Sequence, residues 1–364
     1  MQVKEITNFL ESLAPLSSQE SYDNSGLLVG SPNDEVTGVL ISLDCIEATI
    51  QEAIDKKCNL IISHHPIIFG GLKKLNGKNY VERTVIKAIQ NNIALYAIHT
   101  NLDNYKLGVN HKMGTLLNLQ NAKILAPVSN KLMKLSTYVP EDSKELVLKA
   151  MHEAGAGHIG NYSECSFSSP GMGTYLPNEE ANPTKGVHHI LSHEKEWKVE
   201  VILPMHVQNK VIGALIQAHP YEEVAYEIFS VANQNQDEGA GRIGELESPM
   251  EEKDFLALLK KTFNCDIIRH TSLRNKMIKK VALCGGSGSF LLKEAKRQKA
   301  DIFITGDFKY HEFFDAENEI IIADIGHFES EQFTTNLLGE LLTEKMPKFA
   351  VHLTGINTNP IKYF

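Results

Sequence analysis

Short apolar runs alternate with helical segments through the first third of the chain, and this alternation restricts its fold more than any other feature. Three runs have the character of strands, at residues 36–44, 59–65 and 93–103, and two intervening segments have the character of helices, at 45–58 and 82–92. Strands joined by helices of this length form parallel βαβ units, with helices on both faces of the sheet. The sequence therefore predicts an α/β fold.

A similar succession of elements returns late in the chain. A strand-like segment at 278–289 is followed by a helix at 290–300, a strand at 301–307 and a strand running into a helix at 318–333. The element order agrees with that of the first third, and polar residues again stand at the strand ends. We therefore predict two similar βαβ-rich halves that form one core. The alternative is a chance likeness, because any two βαβ units share this order.

The segment between the halves has a different rhythm. Its predicted elements follow the order βαββαβ, which is typical of a ferredoxin-like fold. The segment begins near Pro127 and ends near the glycine-containing turn at 237–245, as expected for an insertion into a surface loop. We predict a core of residues 1–126 and 241–364, with an inserted ferredoxin-like α+β domain at 127–240.

Composition and charge exclude several classes of protein. The 364 residues carry a formal net charge of −9, so the chain lacks the basic surface of a nucleic-acid-binding protein. No apolar run approaches the roughly 20 residues that span a bilayer, and the N-terminus has the pattern of an amphipathic helix, not of a signal peptide. The five cysteines are scattered, which argues against a disulfide framework or a thiolate zinc site. These features predict a cytoplasmic protein.

Two adjacent histidines, His64 and His65, end the second predicted strand. The carboxyl ends of strands in α/β proteins face the crevice where ligands bind. Neighbouring side chains of a strand point to opposite faces, so the two imidazoles are expected to diverge and to serve two different metal ions. The alternative is a pair of loop histidines that are hydrogen-bonded within the protein.

Other strand ends carry residues of the same chemical type. His99 and Asp103 follow the third strand, and His327 and Glu331 follow the last strand of the second half. A spacing of four residues places His327 and Glu331 on one helical face if a helix begins there. Neutral imidazoles combined with carboxylates suit Zn, Fe, Mn, Co or Ni better than Ca or Mg. Because a carboxylate can bridge two ions in hydrolytic sites, the pattern favours two divalent transition-metal ions.

The chain resembles the NIF-three-like dinuclear metal proteins, whose bacterial members are named GTP cyclohydrolase 1 type 2 homologues. The resemblance covers essentially the whole chain. It includes a segment similar to the PII/CutA-like domain inserted in the longer bacterial members. The motifs that carry the resemblance are YDNSGLLVG (22–30), SHHP (63–66), HTNLD (99–103), AHPYEEVAYEI (218–228), GAGRIGE (239–245), TGD (305–307) and GHFESE (326–331).

The resemblance implies a set of metal ligands and an assembly. The implied ligands are His64, His65, Asp103, His327 and Glu331. The implied assembly is a toroidal homohexamer in which the metal sites face an internal cavity.

Three further candidates have weaker sequence support. His99 is a candidate general base or a group that orients a ligand; the alternative is a histidine bonded to the backbone. Asp44 ends the first strand and is expected to cap the following helix rather than to orient a ligand. The GGSGS segment at 285–289 could cradle a phosphate. It lacks the Lys-Ser/Thr of a P-loop, which favours an ordinary tight turn.

Two classes of function stay open. The first is a metal-dependent hydrolase of a nucleotide or of another phosphorylated, heterocyclic small molecule, since such metals lower the pKa of bound water and make it a nucleophile at neutral pH. The second is a metal-binding regulatory or chaperone-like protein without turnover, whose inserted domain senses a ligand or partner. The sequence has no obvious Ser or Cys nucleophile constellation, which keeps the second class open.

Overall fold

The computed structural model describes residues 1–364. The chain divides into two compact units, one formed by residues 1–126 and 238–364 and the other by residues 127–237. None of the helices combines the length and the apolar character that crossing a bilayer requires. The eleven α-helices are α1 (Val3–Leu13), α2 (Glu47–Asp55), α3 (Tyr80–Gln90), α4 (Thr100–Asp103), α5 (Val109–Leu116), α6 (Lys144–Glu153), α7 (Gln208–Ala218), α8 (Glu252–Thr262), α9 (Leu292–Arg297), α10 (His327–Glu331) and α11 (Thr334–Lys345).

Fifteen strands form three sheets, and five short 3₁₀ helices lie between them. The strands are β1 (Gly26–Val29), β2 (Val39–Ser42), β3 (Leu60–Ser63), β4 (Ala94–Ala97), β5 (Gln120–Ser129), β6 (Leu132–Pro140), β7 (Ser166–Tyr175), β8 (Ser192–Pro204), β9 (Tyr226–Val231), β10 (Gln234–Glu251), β11 (Arg269–His270), β12 (Met277–Ser287), β13 (Ile302–Gly306), β14 (Ile321–Asp324) and β15 (Val351–Leu353). The 3₁₀ helices are Leu16–Ser18, Glu141–Ser143, Met205–Val207, Ser289–Leu291 and Tyr310–Ala316.

The first sheet of the larger unit has the strand order β1-β4-β3-β2-β15. Strands β4, β3, β2 and β15 are parallel, and β1 pairs antiparallel with β4 at the edge. Every residue of the three central strands is buried, because helices cover both faces. Leu60 and Ile62 pack with α1 and α11, whereas Ile61 packs with α2 and α3 on the other face.

The second sheet of the same unit has the order β11-β14-β13-β12-β10-β5. Strands β12, β13 and β14 are parallel, and β10 and β11 are antiparallel to their neighbours β12 and β14. Ile302 and Ile304 pack with α8 on one face, and Phe303 packs with α9 on the other. Each sheet thus contains at least three parallel strands between layers of helix, which confirms the predicted α/β fold with two βαβ-rich halves.

The smaller unit contains one antiparallel sheet, in the order β7-β8-β6-β9. Helix α6 follows β6 and helix α7 follows β8, so the elements occur in the order βαββαβ. Leu135 and Val201 of the sheet pack with Val147 of α6 and Leu215 of α7. The description of residues 127–240 as an inserted ferredoxin-like, PII/CutA-like domain stays a prediction.

Candidate metal centre

The metal-type side chains of the larger unit lie beyond the carboxyl ends of parallel strands. His64 follows β3 directly, His99 lies two residues beyond β4, and α10 begins at His327, three residues beyond β14. Asp103 is the last residue of α4 and Glu331 is the last residue of α10. Helix α10 places His327 and Glu331 one turn apart, as their spacing predicts.

Two groups of three side chains meet at Glu331. One group contains His64 and Asp103, the other contains His65 and His327, and the potential ligand atoms within each group lie within 4.8 Å of one another. Oε1 of Glu331 is 3.8 Å from Nε2 of His64. Oε2 of Glu331 is 2.9 Å from Nε2 of His65 and 3.1 Å from Nε2 of His327. The structure thus brings all five predicted residues together, with Glu331 between the two groups.

Each histidine of the cluster is held through Nδ1. This arrangement places the proton on Nδ1 and leaves the Nε2 lone pair available to a metal ion. For three of the four histidines, Nε2 faces Glu331. The Nδ1–H groups donate to four acceptors: His64 to the Ile98 carbonyl oxygen (2.8 Å), His65 to Asp44 Oδ1 (2.7 Å), His99 to Asp23 Oδ1 (2.8 Å) and His327 to Asp307 Oδ2 (2.7 Å).

Two buried ligand atoms lack hydrogen-bond partners. Nε2 of His64 and Oδ1 of Asp103 are both buried, make no hydrogen bond, and lie 3.6 Å apart. With Nδ1 protonated, both atoms are acceptors, so burying them together costs free energy unless a cation compensates them. Burial and the neighbouring Glu331 charge raise the pKa of Asp103. These nitrogen and oxygen donors fit a divalent transition-metal ion.

The second group has the electrostatics of a site that attracts positive charge. Burial opposes protonation of His65, but its hydrogen bonds with Asp44 and Glu331 outweigh burial and raise its pKa to about 9. Burial also opposes protonation of His327, yet Glu331 and Asp307 raise its pKa to about 11. A divalent cation would supply the same compensating charge while leaving both imidazoles neutral.

The imidazoles of His64 and His65 lie side by side, so the expected divergence of the two rings is wrong. Strand β3 ends at Ser63, and the alternation of side chains within a strand does not extend beyond it. The two ring centroids are 4.9 Å apart, with an angle of 44° between the rings. The two imidazoles lie side by side but face different oxygens of Glu331, so they belong to the two different groups of potential ligands.

Asp44 does not cap helix α2, so that expectation is also wrong. The helix begins three residues beyond Asp44, and the hydroxyl of Thr49 accepts the hydrogen bond from the Ile46 backbone N–H. The two oxygens of Asp44 accept instead from His65 Nδ1–H and from the Thr358 hydroxyl. Asp44 therefore orients a metal-type histidine.

His99 stands beside both adjacent histidines, with its ring centroid 5.3 Å from that of His64 and 5.4 Å from that of His65. Its imidazole is bound by the Asp23 carboxylate and not by the backbone. Asp23 also accepts from the backbone N–H of Thr100 at 3.0 Å. Burial opposes ionisation of Asp23, but the hydrogen bonds with His99 and Thr100 hold its pKa well below the usual range.

Asp23, Asp307 and Gly286 shape the cluster, although their sequence pattern did not assign any of them to a metal site. Asp23 and Asp307 lie in the motifs YDNSG and TGD. An acidic residue close to the end of a strand was the only sequence feature that could have indicated their roles. Gly286 has φ +60°, and a Cβ there would lie 2.3 Å from Oε1 of Glu331. The segment 285–289 is not an ordinary turn, because β12 extends to Ser287 and Gly286 makes room for a buried carboxylate. The N–H groups of Gly285 and Gly286 bond to Asn110 Oδ1 and to the Ser330 hydroxyl, so these two are not directed at a phosphate.

Comparison with known proteins identifies the family of the chain. A model of the DUF34/NIF3 family, described as NGG1p interacting factor 3, matches residues 1–360. The chain is 36% identical over 365 residues to the GTP cyclohydrolase 1 type 2 homolog of Bacillus subtilis, covering 99% of this chain and 98% of that relative. It is 38% identical over 363 residues to the protein of the same name from Halalkalibacterium halodurans, covering 98% of each. Among solved structures, a Bacillus cereus protein related to NIF3 matches with a TM-score of 0.88 and 36% identity, over 100% of this chain and 99% of that one. The chain therefore belongs to the DUF34/NIF3 family.

Proposed function

We propose that the protein binds two divalent transition-metal ions and acts as a metal-dependent hydrolase of a nucleotide-like or phosphorylated substrate. One observation carries the proposal: two groups of metal-type side chains share the carboxylate of Glu331, whose two oxygens face different histidines. In this proposal His64 and Asp103 would hold one ion, His65 and His327 would hold the other, and Glu331 would contribute to both. Zn, Fe, Mn, Co and Ni all suit this donor set.

Metal ions of this class supply Lewis acidity and make water a nucleophile near neutral pH. The protein's own contribution is orientation. Asp44 and Asp307 hold the Nδ1 protons of His65 and His327, so that Nε2 stays an acceptor. Asp23 does the same for His99, whose Nε2 is then available to accept a proton from a reacting group or to bind substrate.

The surroundings of His99 favour a substrate with a heterocycle. The ring of Phe69 lies 6.2 Å from the His99 ring and 6.2 Å from the ring of Tyr22. The two aromatic side chains are 51% and 62% exposed, so their faces are open to a planar ligand. Base–aromatic stacking stabilises such contacts by about 1–3 kcal/mol. The name of the relatives, GTP cyclohydrolase 1 type 2 homolog, also points to nucleotide-like substrates.

Metal content and turnover test the proposal together. Gently purified protein should contain, or take up after incubation with Zn or Mn, two equivalents of metal by elemental analysis. Metal-loaded protein should then hydrolyse at least one compound in a panel of phosphatase, phosphodiesterase and cyclohydrolase substrates. Less than one equivalent of metal would contradict the site.

Variants separate the two groups of ligands. Glu331→Gln should weaken both ions, because two cations lose a shared counter-charge. His64→Ala and His65→Ala should each leave a protein with one ion, and all three changes should abolish turnover. Glu340→Gln is the matched control, since Glu340 is 62% exposed and pairs with Lys112. Wild-type activity in a mononuclear His65→Ala protein would refute the two-metal mechanism.

The second candidate function is a metal-binding regulatory or chaperone-like protein with no turnover of its own. A large cavity within the smaller unit, remote in sequence from all the metal-type residues, favours this candidate. Two bound equivalents of metal without turnover of any substrate in the panel would support it over the hydrolase.

A further inference from the structure

The smaller unit contains a partly open cavity of about 1040 Å³ that the proposed hydrolase site does not use. All of its lining residues lie between positions 138 and 225. Apart from Tyr138 on β6, they belong to the carboxyl-terminal part of β7, the loop that follows it, the facing part of β8, and the turn at 221–225. A concave site of this size is sufficient for a small-molecule ligand.

The floor of the cavity is built by glycines on the edge strand β7. Gly171 is paired with Glu196 of β8, and Gly173 is paired with Glu194. A Cβ at Gly173 would lie 2.2 Å from Oε2 of Glu196, so the glycine allows that carboxylate to lie across the strand. A Cβ at Gly171 would meet nothing closer than the Glu196 carbonyl oxygen at 3.9 Å. Glycine within a strand often marks a site where a ligand approaches closely.

One wall of the cavity is fixed by His219. Its Nε2–H donates to the carbonyl oxygen of Tyr138 at 2.9 Å, and its Nδ1 accepts from the backbone N–H of Tyr221 at 3.1 Å. The ring of Tyr221 lies 6.2 Å from that of Tyr175, so aromatic side chains border the space. Because both nitrogens of His219 are engaged by the backbone, the wall is formed before a ligand arrives.

The opposite wall is tied to the same turn. The backbone N–H of Asn182 donates to Oε1 of Glu222 at 2.6 Å, and the Thr184 hydroxyl donates to the Pro220 carbonyl oxygen at 2.8 Å. These bonds hold the loop after β7 against the turn that carries Tyr221. The cavity is therefore largely preformed, which lowers the entropic cost of binding.

The lining favours positive charge. Its only basic residue, Lys198, pairs with Glu200 at 3.0 Å, whereas Glu196 has no basic side chain within ion-pair distance. The Tyr221 hydroxyl is buried and lies beside the Glu196 carboxylate. Burial and the neighbouring Glu196 raise the pKa of Tyr221, so the phenol stays a donor. The acidic lining residues are Glu180, Glu196, Glu222 and Glu223.

We propose that this cavity binds an organic ammonium ion, such as an aliphatic amine or polyamine. The Glu196 carboxylate lies at the cavity floor and pairs with the ammonium group. Tyrosine rings at the wall favour the same charge, because the faces of aromatic rings attract cations. The acidic lining disfavours phosphates and carboxylates. The proposal does not depend on the metal centre.

Calorimetric titration of the full chain with spermidine, at an ionic strength of roughly 0.15 M to screen surface charge, tests the proposal. We expect one saturable site. Gly171→Leu should abolish it, since the added side chain fills open space without straining the strand. Glu196→Gln should weaken it about tenfold or more, as expected for the loss of a charge-assisted hydrogen bond. Circular dichroism of each variant verifies that the fold is retained.

A control variant and a second probe distinguish spermidine binding in the cavity from non-specific attraction to the negatively charged protein. Glu145→Gln changes the net charge equally at a side chain that is 83% exposed, and it should bind spermidine like the unaltered protein. Inorganic phosphate should not bind. Absence of binding, binding that does not saturate, or equal binding by the Gly171→Leu protein would overturn the proposal.

Discussion

Replacing Gly286 with alanine would place a methyl group where the buried Glu331 carboxylate lies. The Cβ would stand 2.3 Å from Oε1 and 3.2 Å from Cδ of Glu331. A flexible, exposed side chain could move aside, but Glu331 is 2% exposed and contacts His65 and His327. Gly286 also has φ +60°, in the left-handed region that disfavours residues with a Cβ.

Both effects contribute to the expected loss of stability. The left-handed conformation costs roughly 1–2 kcal/mol for alanine, and forcing an extra methyl group into a packed site costs about 1–3 kcal/mol. Gly286→Ala should therefore lower the free energy of unfolding of the metal-free protein by roughly 2–5 kcal/mol. Displacement of Glu331 should also weaken metal binding at least about tenfold. Urea denaturation and calorimetric titration with Zn or Mn measure the two effects.

Gly77→Ala is the matched control. Gly77 has φ +78°, and a Cβ there would meet only Cγ of Arg83, at the ordinary contact distance of 3.7 Å. This variant should show the conformational cost alone, and its metal affinity should be unchanged. The steric reasoning would be refuted if Gly286→Ala lost no more stability than Gly77→Ala and bound metal equally well.

Four further predictions concern the metal site, acid stability, the smaller unit and the assembly. Asp44→Asn should weaken metal binding by about 10–100-fold in calorimetric titration, because the carboxylate that orients His65 is lost; Asp55→Asn, at an exposed position, should not. Burial opposes ionisation of Glu52, but hydrogen bonds from Gly355 N–H and Lys56 outweigh it and lower its pKa below the ordinary 4.5. The stability that Glu52 contributes is therefore present above pH 4.5 and lost as the pH falls through the lowered value. The chemical shift of the Gly355 amide in an NMR acid titration should report the lowered pKa of Glu52, and Glu52→Gln should remove this titration step. Replacing residues 127–240 with a Gly/Ser linker should leave a folded, metal-binding core, and a product that is insoluble under all conditions would argue against these boundaries. Native mass spectrometry should find a homohexamer, and a monomer at every concentration would contradict the expected assembly.

The parallel strands and the chemistry of their ends were predictable from local sequence. The run at residues 60–62 is apolar at successive positions because both faces of its strand are covered, and such a run can be recognised in the sequence. His327 and Glu331 could be placed on one helical face because their spacing matches a helical turn. The residue types at the strand ends also indicated nitrogen and oxygen donors for a transition metal.

The meeting of these residues was decided by the tertiary structure. His65 and Glu331 are 266 positions apart in the chain, yet Nε2 and Oε2 lie within 2.9 Å, because two sheets bring their strand ends to one place. Asp23 and Asp307 acquire their roles only when folding sets them against His99 and His327. The need for glycine at position 286 arises from a carboxylate 45 positions later in the sequence. Local periodicity records which face of an element is buried, but it does not record which distant side chain will lie against it.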